Sequence, residues 1–453
     1  MRSRALLFAC LGLWACPGDP EPTPFDAGPD LANPIDPLSM PAEPLWSSAR
    51  FRSAETCRAC HPDHYAEWRT SMHAYAMIDP VFRGLVQVRQ RDFGGERDAF
   101  CTQCHSAIGT RSREIGPGFR FEDLSPVVLE GVTCEACHRV SGVERLYNSG
   151  HQLDPDGPLR GPIQDPMPTE AHASEGSDLF ERPEFCGGCH EVIEFSGLPL
   201  ERPYTEWKVS PAAGEDRTCQ DCHLPTVPGP AAVGGPTRTR HRHQFVGVDL
   251  PITDGFLTPT ERDELQQRIG GLLSGTARLS LVVPEQLARG QRLDLVVTVQ
   301  NLIAGHNLPT GSTFHRQLWL ELTVTDAAGT IRYRTGQLDP DGDLLDHYSS
   351  HLPYGDPDLV RFGSRFVDQR GNPTLFPWLA AEHFSNAIPP GYARTQTLFV
   401  DTTSAAPGRA QIQARLRFRA MPPFLLRLLG LESAASTLPI YEVATASAAL
   451  TLE

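Results

Sequence analysis

Cys57-Arg58-Ala59-Cys60-His61 is a five-residue pattern that returns as Cys101-Thr-Gln-Cys104-His105, Cys134-Glu-Ala-Cys137-His138, Cys186-Gly-Gly-Cys189-His190 and Cys219-Gln-Asp-Cys222-His223. Two thiols one helical turn apart reach the two vinyl groups of a porphyrin and form thioethers, and the adjacent imidazole meets the iron from one face. A single copy would also suit a zinc or dithiol site. Five copies take ten of the twelve cysteines and leave only Cys10 and Cys16. The expectation is five covalently bound haem c groups, with His61, His105, His138, His190 and His223 as proximal ligands. No residue is singled out as catalytic.

Spacing sets the fold class. The five motifs fall between residues 57 and 223, about 33 residues per haem, too little chain for a conventional core around each cofactor. A haem-cored, mainly α-helical and irregular cytochrome domain is expected over residues 46–255, with Pro62–Ile78 as one of its few helical stretches and turns at Asp154–Pro158 and Gly161-Pro162. Cofactor binding would then supply the folding free energy.

Eleven of the sixteen histidines lie outside the motifs. Spare imidazoles in a haem-dense chain point to bis-histidine ligation. His73 follows the first motif by one helix, His151 and His172 lie between the third and fourth motifs, and His243 ends the basic run Arg238–His243, whose arginines suit haem propionates. These four, with His306 further on, are the expected distal ligands. His64, three residues from a proximal ligand, reads as a surface or propionate-facing residue.

Tyr65, Trp68, Ser71 and His73 after the first motif, Gly131-Val132-Thr133-Cys134, Phe185-Cys186, Glu206-Trp207-Lys208 and Cys219–Pro225 together resemble the cytochrome c-554 and hydroxylamine-oxidoreductase-like group of multihaem cytochromes. The likeness spans roughly residues 50–250. It implies redox function, with His73 and His172 as distal ligands, and leaves open whether the chain carries electrons or is an enzyme, since a carrier of that group can keep one iron five-coordinate. Pentahaem nitrite reductases use a Cys-x-x-Cys-Lys motif. Lys208 is the only lysine in this chain and lies outside any such motif.

Residues 1–16 read as an export signal: Arg2 and Arg4, a short apolar stretch, then Leu13-Trp14-Ala15-Cys16, which resembles a bacterial lipobox. Cleavage before Cys16 would remove both arginines and no acid, moving the formal net charge from −15 to −17. Residues 17–45 carry nine prolines and are expected to form a disordered tether. Lipid on Cys16 would attach a periplasmic or cell-surface lipoprotein to a membrane, with redox proteins as partners. An acidic chain argues against nucleic acid, and the body has no apolar run near 20 residues, which excludes a polytopic membrane protein.

After residue 255 the pattern changes. Residues 256–275 are expected to be a helical connector built on Glu261–Leu273, and residues 276–453 an all-β, immunoglobulin-like sandwich. Its strand runs are Leu279–Val283, Leu293–Gln300, Gln317–Thr325, Ile331–Thr335, Thr395–Val400, Ala410–Arg419 and Ile440–Thr445, with an insertion near 338–394. Pro422–Leu431 reads as a short amphipathic helix on the sandwich, and Asp339–Asp343 as an acidic turn. Within Gly305-His306-Asn307-Leu308-Pro309-Thr310-Gly311, His306 is expected to reach back to a haem. The multidomain chain thus reads as an exported pentahaem carrier passing electrons between a membrane or periplasmic donor and an acceptor. The alternative is a haem oxidoreductase with one open iron acting on a small nitrogen, oxygen or sulfur compound.

Overall fold

A computed structural model describes residues 43–194, 197–352 and 354–453. The signal, the lipobox at Cys16 and most of the Pro-rich stretch lie outside these residues. Among the described residues no helix is long and apolar enough to cross a membrane.

The N-terminal half is a string of short helices. Each cysteine motif sits on a helical turn: the His61 and His190 amides each donate to the carbonyl four residues back, of Cys57 and Cys186, at 2.8 Å. Ala99–His105, Cys134–His138 and Cys219–His223 are helical over the motif itself, the last closed by a capping box of Thr218 and Asp221. The helical stretch expected from Pro62 is split into Pro62–Arg69 and Met72–Tyr75, because Ser71 caps a new helix by accepting from Ala74 N.

One longer helix, Pro80–Phe93, was not anticipated. Asp79 caps it by accepting from Val81 N, Pro80 occupies its first turn, and Gly94 at φ 61° ends it. Its inner face joins a conventional apolar cluster of Phe51, Met77, Phe82, Val86, Ile108, Ile115, Phe121, Leu124, Val127, Val128 and Ala136. The cytochrome part is therefore not built on cofactors alone. Chain left over between motifs, Pro80–Phe93 and residues 107–129, packs as an ordinary small core.

Thr258 and Glu261 form a capping box that starts helix Pro259–Leu273, which buries Leu265, Ile269 and Leu273 at four-residue spacing. Beyond it a large β-rich region begins. One sheet runs Gln286–Leu287, Tyr441–Leu452, Gly408–Arg419, Gln317–Thr325, Ile331–Thr335, with Arg361–Phe362 also on Gln317–Thr325; a second runs Ala393–Asp401, Arg292–Asn301, Ala277–Val282. Alternation decides which face is inside: Leu293, Leu295, Val297 and Val299 point inward from one sheet and join Leu318, Leu320, Leu322, Ile412 and Leu416 of the other in a single core. All seven expected strand runs are strands. The insertion holds a separate three-stranded sheet of Pro373–Thr374, Ser364–Asp368 and Ala380–Ser385.

The helix expected on the β region is Pro423–Leu428, and it also faces the cytochrome part: Leu429 just beyond it packs where Gly84 of helix Pro80–Phe93 lacks a side chain. Further ties cross between the halves. Arg316 donates to Asp249 at 2.7 Å, Trp378 Nε1 to Asp92 at 2.6 Å, and Ala212 N to the Ala304 carbonyl at 3.1 Å. Arg69 pairs with Glu261.

Candidate haem-binding site

A connected cavity of about 1570 Å³ runs through the N-terminal half and up to the β region. All ten motif cysteines are free thiols, and every cysteine and histidine of the five motifs faces one continuous space with His73, His172, His243 and His306. Three thiol pairs touch across motifs: Cys57 with Cys134, Cys104 with Cys189, and Cys186 with Cys219. Cys137 feels the charges of Cys189 and Cys186. The third motif therefore neighbours the first and fourth, and the fourth neighbours the second and fifth.

The imidazoles pair across the cavity. Ring centres lie 6.3 Å apart for His61 and His172, 6.3 Å for His138 and His243, 6.1 Å for His190 and His73, and 6.4 Å for His223 and His306. A metal held between two imidazole nitrogens at about 2 Å each spaces the ring centres by roughly 6 Å. Orientation agrees with the spacing. Nδ1 meets a backbone carbonyl at His61 (Ala231, 2.7 Å), His138 (Arg160, 2.5 Å), His243 (His241, 3.0 Å) and His306 (Asn307, 3.0 Å), which leaves Nε2 for the partner side. Burial holds His73 and His306 down to about 4 and His243 to about 3. These rings are neutral at pH 7, the form that ligates iron.

Local structure places each partner. His73 is on helix Met72–Tyr75, and its carbonyl accepts from Val132 N at 3.1 Å; Gly131, at φ 70°, is needed because a Cβ there would come 2.7 Å from that oxygen. The His243 amide donates to buried Glu67 at 2.8 Å, and Arg240 donates to the same carboxylate. The His306 loop is held by Glu206, which accepts from Asn307 N at 3.1 Å and Thr310 Oγ1 at 2.5 Å. His172 Nδ1 meets Ser174 Oγ at 3.0 Å.

Two expectations change. His151 does not face a motif histidine: its Nε2 donates to the Phe185 carbonyl at 2.6 Å and its Nδ1 lies 3.4 Å from Cys189 Sγ, so both ring nitrogens are engaged. A position between two motifs did not reveal that the strand His151–Leu153 turns the ring back onto its own neighbour. His64 is not a surface residue. Its ring stands 4.7 Å from His243 and 6.0 Å from His61, and burial lowers it to about 4.

His105 differs from the other four motif histidines. Its Nδ1 meets the Ala76 carbonyl at 3.1 Å, as a proximal ligand's should, yet among the described residues its ring partner is Phe82, stacked at 3.7 Å and 5°. Nothing in the Cys101–His105 motif distinguishes it from the others; the difference lies in Phe82 of the unanticipated helix.

The chemistry of the donor set fits haem c. Paired thiols line the cavity, imidazoles face each other at iron-bridging distance, and one buried guanidinium nitrogen each of Arg160 (Nη1), Arg240 (Nε) and Arg316 (Nε), residues that line the same space, has no protein partner and suits a propionate.

Residues 56–139 match the family described as cytochrome c554 and c-prime. A solved structure, a penta-heme cytochrome c552 from Thermochromatium tepidum, is 21% identical and superposes with a TM-score of 0.62 over 89% of this chain and 100% of that one. The chain shares the fold of that penta-heme cytochrome, and residues 56–139 are similar to the cytochrome c554 and c-prime family. Other structural matches, such as a beta-glucosidase from Listeria innocua (11% identity, 37% of this chain, 15% of that one, TM-score 0.14), carry no argument. No curated protein matches the sequence. The likeness to the penta-heme structure extends over the β-rich region, so cytochrome and β-rich parts form one shared architecture.

Proposed function

We propose that the chain is an exported pentahaem electron carrier in which His61 and His172, His138 and His243, His190 and His73, and His223 and His306 form four axial pairs. Their 6.1–6.4 Å ring spacing is the observation that carries this reading. Haem bound there supplies one-electron chemistry at iron. The protein supplies order and enclosure. Thiol contacts put the motifs in the sequence first, third, fourth, fifth, with the second branching from the fourth. Cys60 of the first motif and Cys222 of the fifth are exposed, so the two ends of that line are where partner proteins would exchange electrons. Residues 46–255 form the cytochrome domain, 256–275 the connector and 276–453 a two-sheet sandwich whose role is to deliver His306, beyond any docking it performs. A signal over residues 1–16, a tether over 17–45 and lipid on Cys16 would hold the carrier at a membrane.

A second reading is favoured by one observation: among the described residues no imidazole faces His105 at the roughly 6 Å of the other four pairs, and its ring is instead flanked face-on by Phe82. An iron held by His105 would keep a free coordination position and could act on a small nitrogen, oxygen or sulfur compound. Visible and electron paramagnetic resonance spectra test both readings together. Four low-spin irons and one high-spin iron per chain are expected; five low-spin irons would remove the second reading, and fewer than four would break the axial pairing.

A further inference from the structure

The four paired distal histidines are not held alike. His243 and His306 are fixed by carboxylates from other elements, Glu67 and Glu206, and His73 sits on a capped helix crossed by Val132. His172 lies in the long irregular connection between the short strands Leu159–Gly161 and Ser174–Gly176. Its ring nitrogen meets only its own neighbours, Ser174 Oγ at 3.0 Å and the Ala173 carbonyl at 3.3 Å. Two long-range ties reach this connection: Arg52 donates to the Ala171 carbonyl at 3.2 Å while paired with Glu135, and further back Arg238 donates to the exposed Asp165 at 2.7 Å.

The same connection is open to solvent. Gln164, Asp165 and Met167 to Ala171 are exposed, and Met167 is 59% exposed while also lining the cavity. His172 is itself the least enclosed of the four distal rings. A segment with few buried contacts opens at low free-energy cost, and a ligand that binds only the open form sees its affinity reduced by the fraction open.

We propose that the iron shared by His61 and His172 is a second binding site for small strong-field ligands of the carbon monoxide class, entered when His172 swings out with its loop. The exchange moves no electron: the bond from His172 Nε2 to iron breaks, the imidazole leaves neutral, and the incoming ligand takes its position. The other three pairs stay closed. This inference rests on the axial pairing above.

Carbon monoxide mixed with the reduced holoprotein tests it. The expected record is a fast phase from the iron at His105 and a slow phase of equal amplitude whose rate saturates at high carbon monoxide, because departure of His172 limits it. Ser174→Ala should raise that limiting rate several-fold and leave the fast phase unchanged. Arg52→Ala should raise it further, and Ser174→Ala remains the decisive variant if unpairing Glu135 disturbs folding. His172→Ala should convert the slow phase into a second fast one. A wild type lacking the slow phase, with a second fast phase in His172→Ala, overturns displacement and leaves the pairing intact. A His172→Ala protein with unchanged spectra overturns both. A missing fast phase with the slow phase present sinks only the open iron at His105.

Discussion

The rings of His223 and His306 face each other at 6.4 Å and 20°, although one ends the fifth cysteine motif and the other sits in a loop of the β-rich region. Both have Nδ1 on a backbone carbonyl, of Val246 and Asn307, so both present Nε2 to the space between them. One metal–ligand bond would therefore cross between the two halves of the chain. His306→Ala should turn one low-spin iron high-spin, taking the low-spin count from four to three, with the remaining three unchanged. Electron paramagnetic resonance of the variant measures this directly, and an unaltered spectrum would remove His306 from the coordination set.

Glu67 is a second anchor of this type. It is 8% exposed, accepts the His243 amide at 2.8 Å, and lies 3.3 Å from Arg240. Replacing it with alanine leaves Arg240 with only the exposed Asp63, 3.1 Å away, and the His243 amide without its acceptor, a loss of about 1–3 kcal/mol. Glu67→Ala should lower the unfolding free energy by roughly that amount and broaden the low-spin signal of the iron between His138 and His243. Glu67→Gln keeps an acceptor for the His243 amide and should preserve the signal at a smaller stability cost. Chemical denaturation with the spectrum as probe separates the two effects.

How these anchors arise explains what was legible in the sequence. The motif residues could be read directly because thioether chemistry demands two thiols and an imidazole at fixed spacing. His73, His172, His243 and His306 were visible as spare imidazoles, but their partners were not, since pairing depends on how short helices stack in three dimensions. His151 shows the limit: its neighbourhood in sequence suited a ligand, and a hydrogen bond to Phe185 captured it instead. Strands such as Arg292–Asn301 were plain from two-residue alternation. Helix Pro80–Phe93 was missed although Asp79-Pro80 and Gly94 mark its ends, and with it Phe82, the residue that sets His105 apart.

Glu206 gives a pH prediction with a definite sign. Burial raises its carboxyl from 4.5 to about 7, against the opposing pull of the Thr310 and Asn307 hydrogen bonds. The folded state therefore holds this proton more tightly than the unfolded chain. Its contribution to stability is fully present below pH 4.5 and is lost as pH rises through 7, a change on the order of 3 kcal/mol. Glu206→Gln offers an uncharged oxygen to the same donors without the burial penalty. Thermal melts should show the variant gaining stability over wild type at pH 8, and matching it near pH 5. Equal gains at both pH values would show that the carboxylate is not strained in this position.

Removing the cofactor separates the two halves by their cores. The β-rich region buries Leu293, Leu295, Leu318, Leu320, Ile412 and Leu416 in a core of its own, which needs no haem. The cytochrome part instead surrounds a cavity of about 1570 Å³ with thiols, imidazoles and apolar walls. Leaving even a tenth of that volume dry would cost about 4 kcal/mol, a large share of the 5–15 kcal/mol that holds a typical domain together. Filling it with water instead would wet apolar side chains that the helices place there. The small cluster around Phe82, Val86 and Ile108 preserves local structure without closing the cavity. Haem-free protein, made by replacing the ten motif cysteines with alanine, should therefore keep the β signature in circular dichroism with a cooperative melt, while amides of the motif helices exchange within seconds. Protected amides across the motif helices would show that the polypeptide alone folds the cytochrome part.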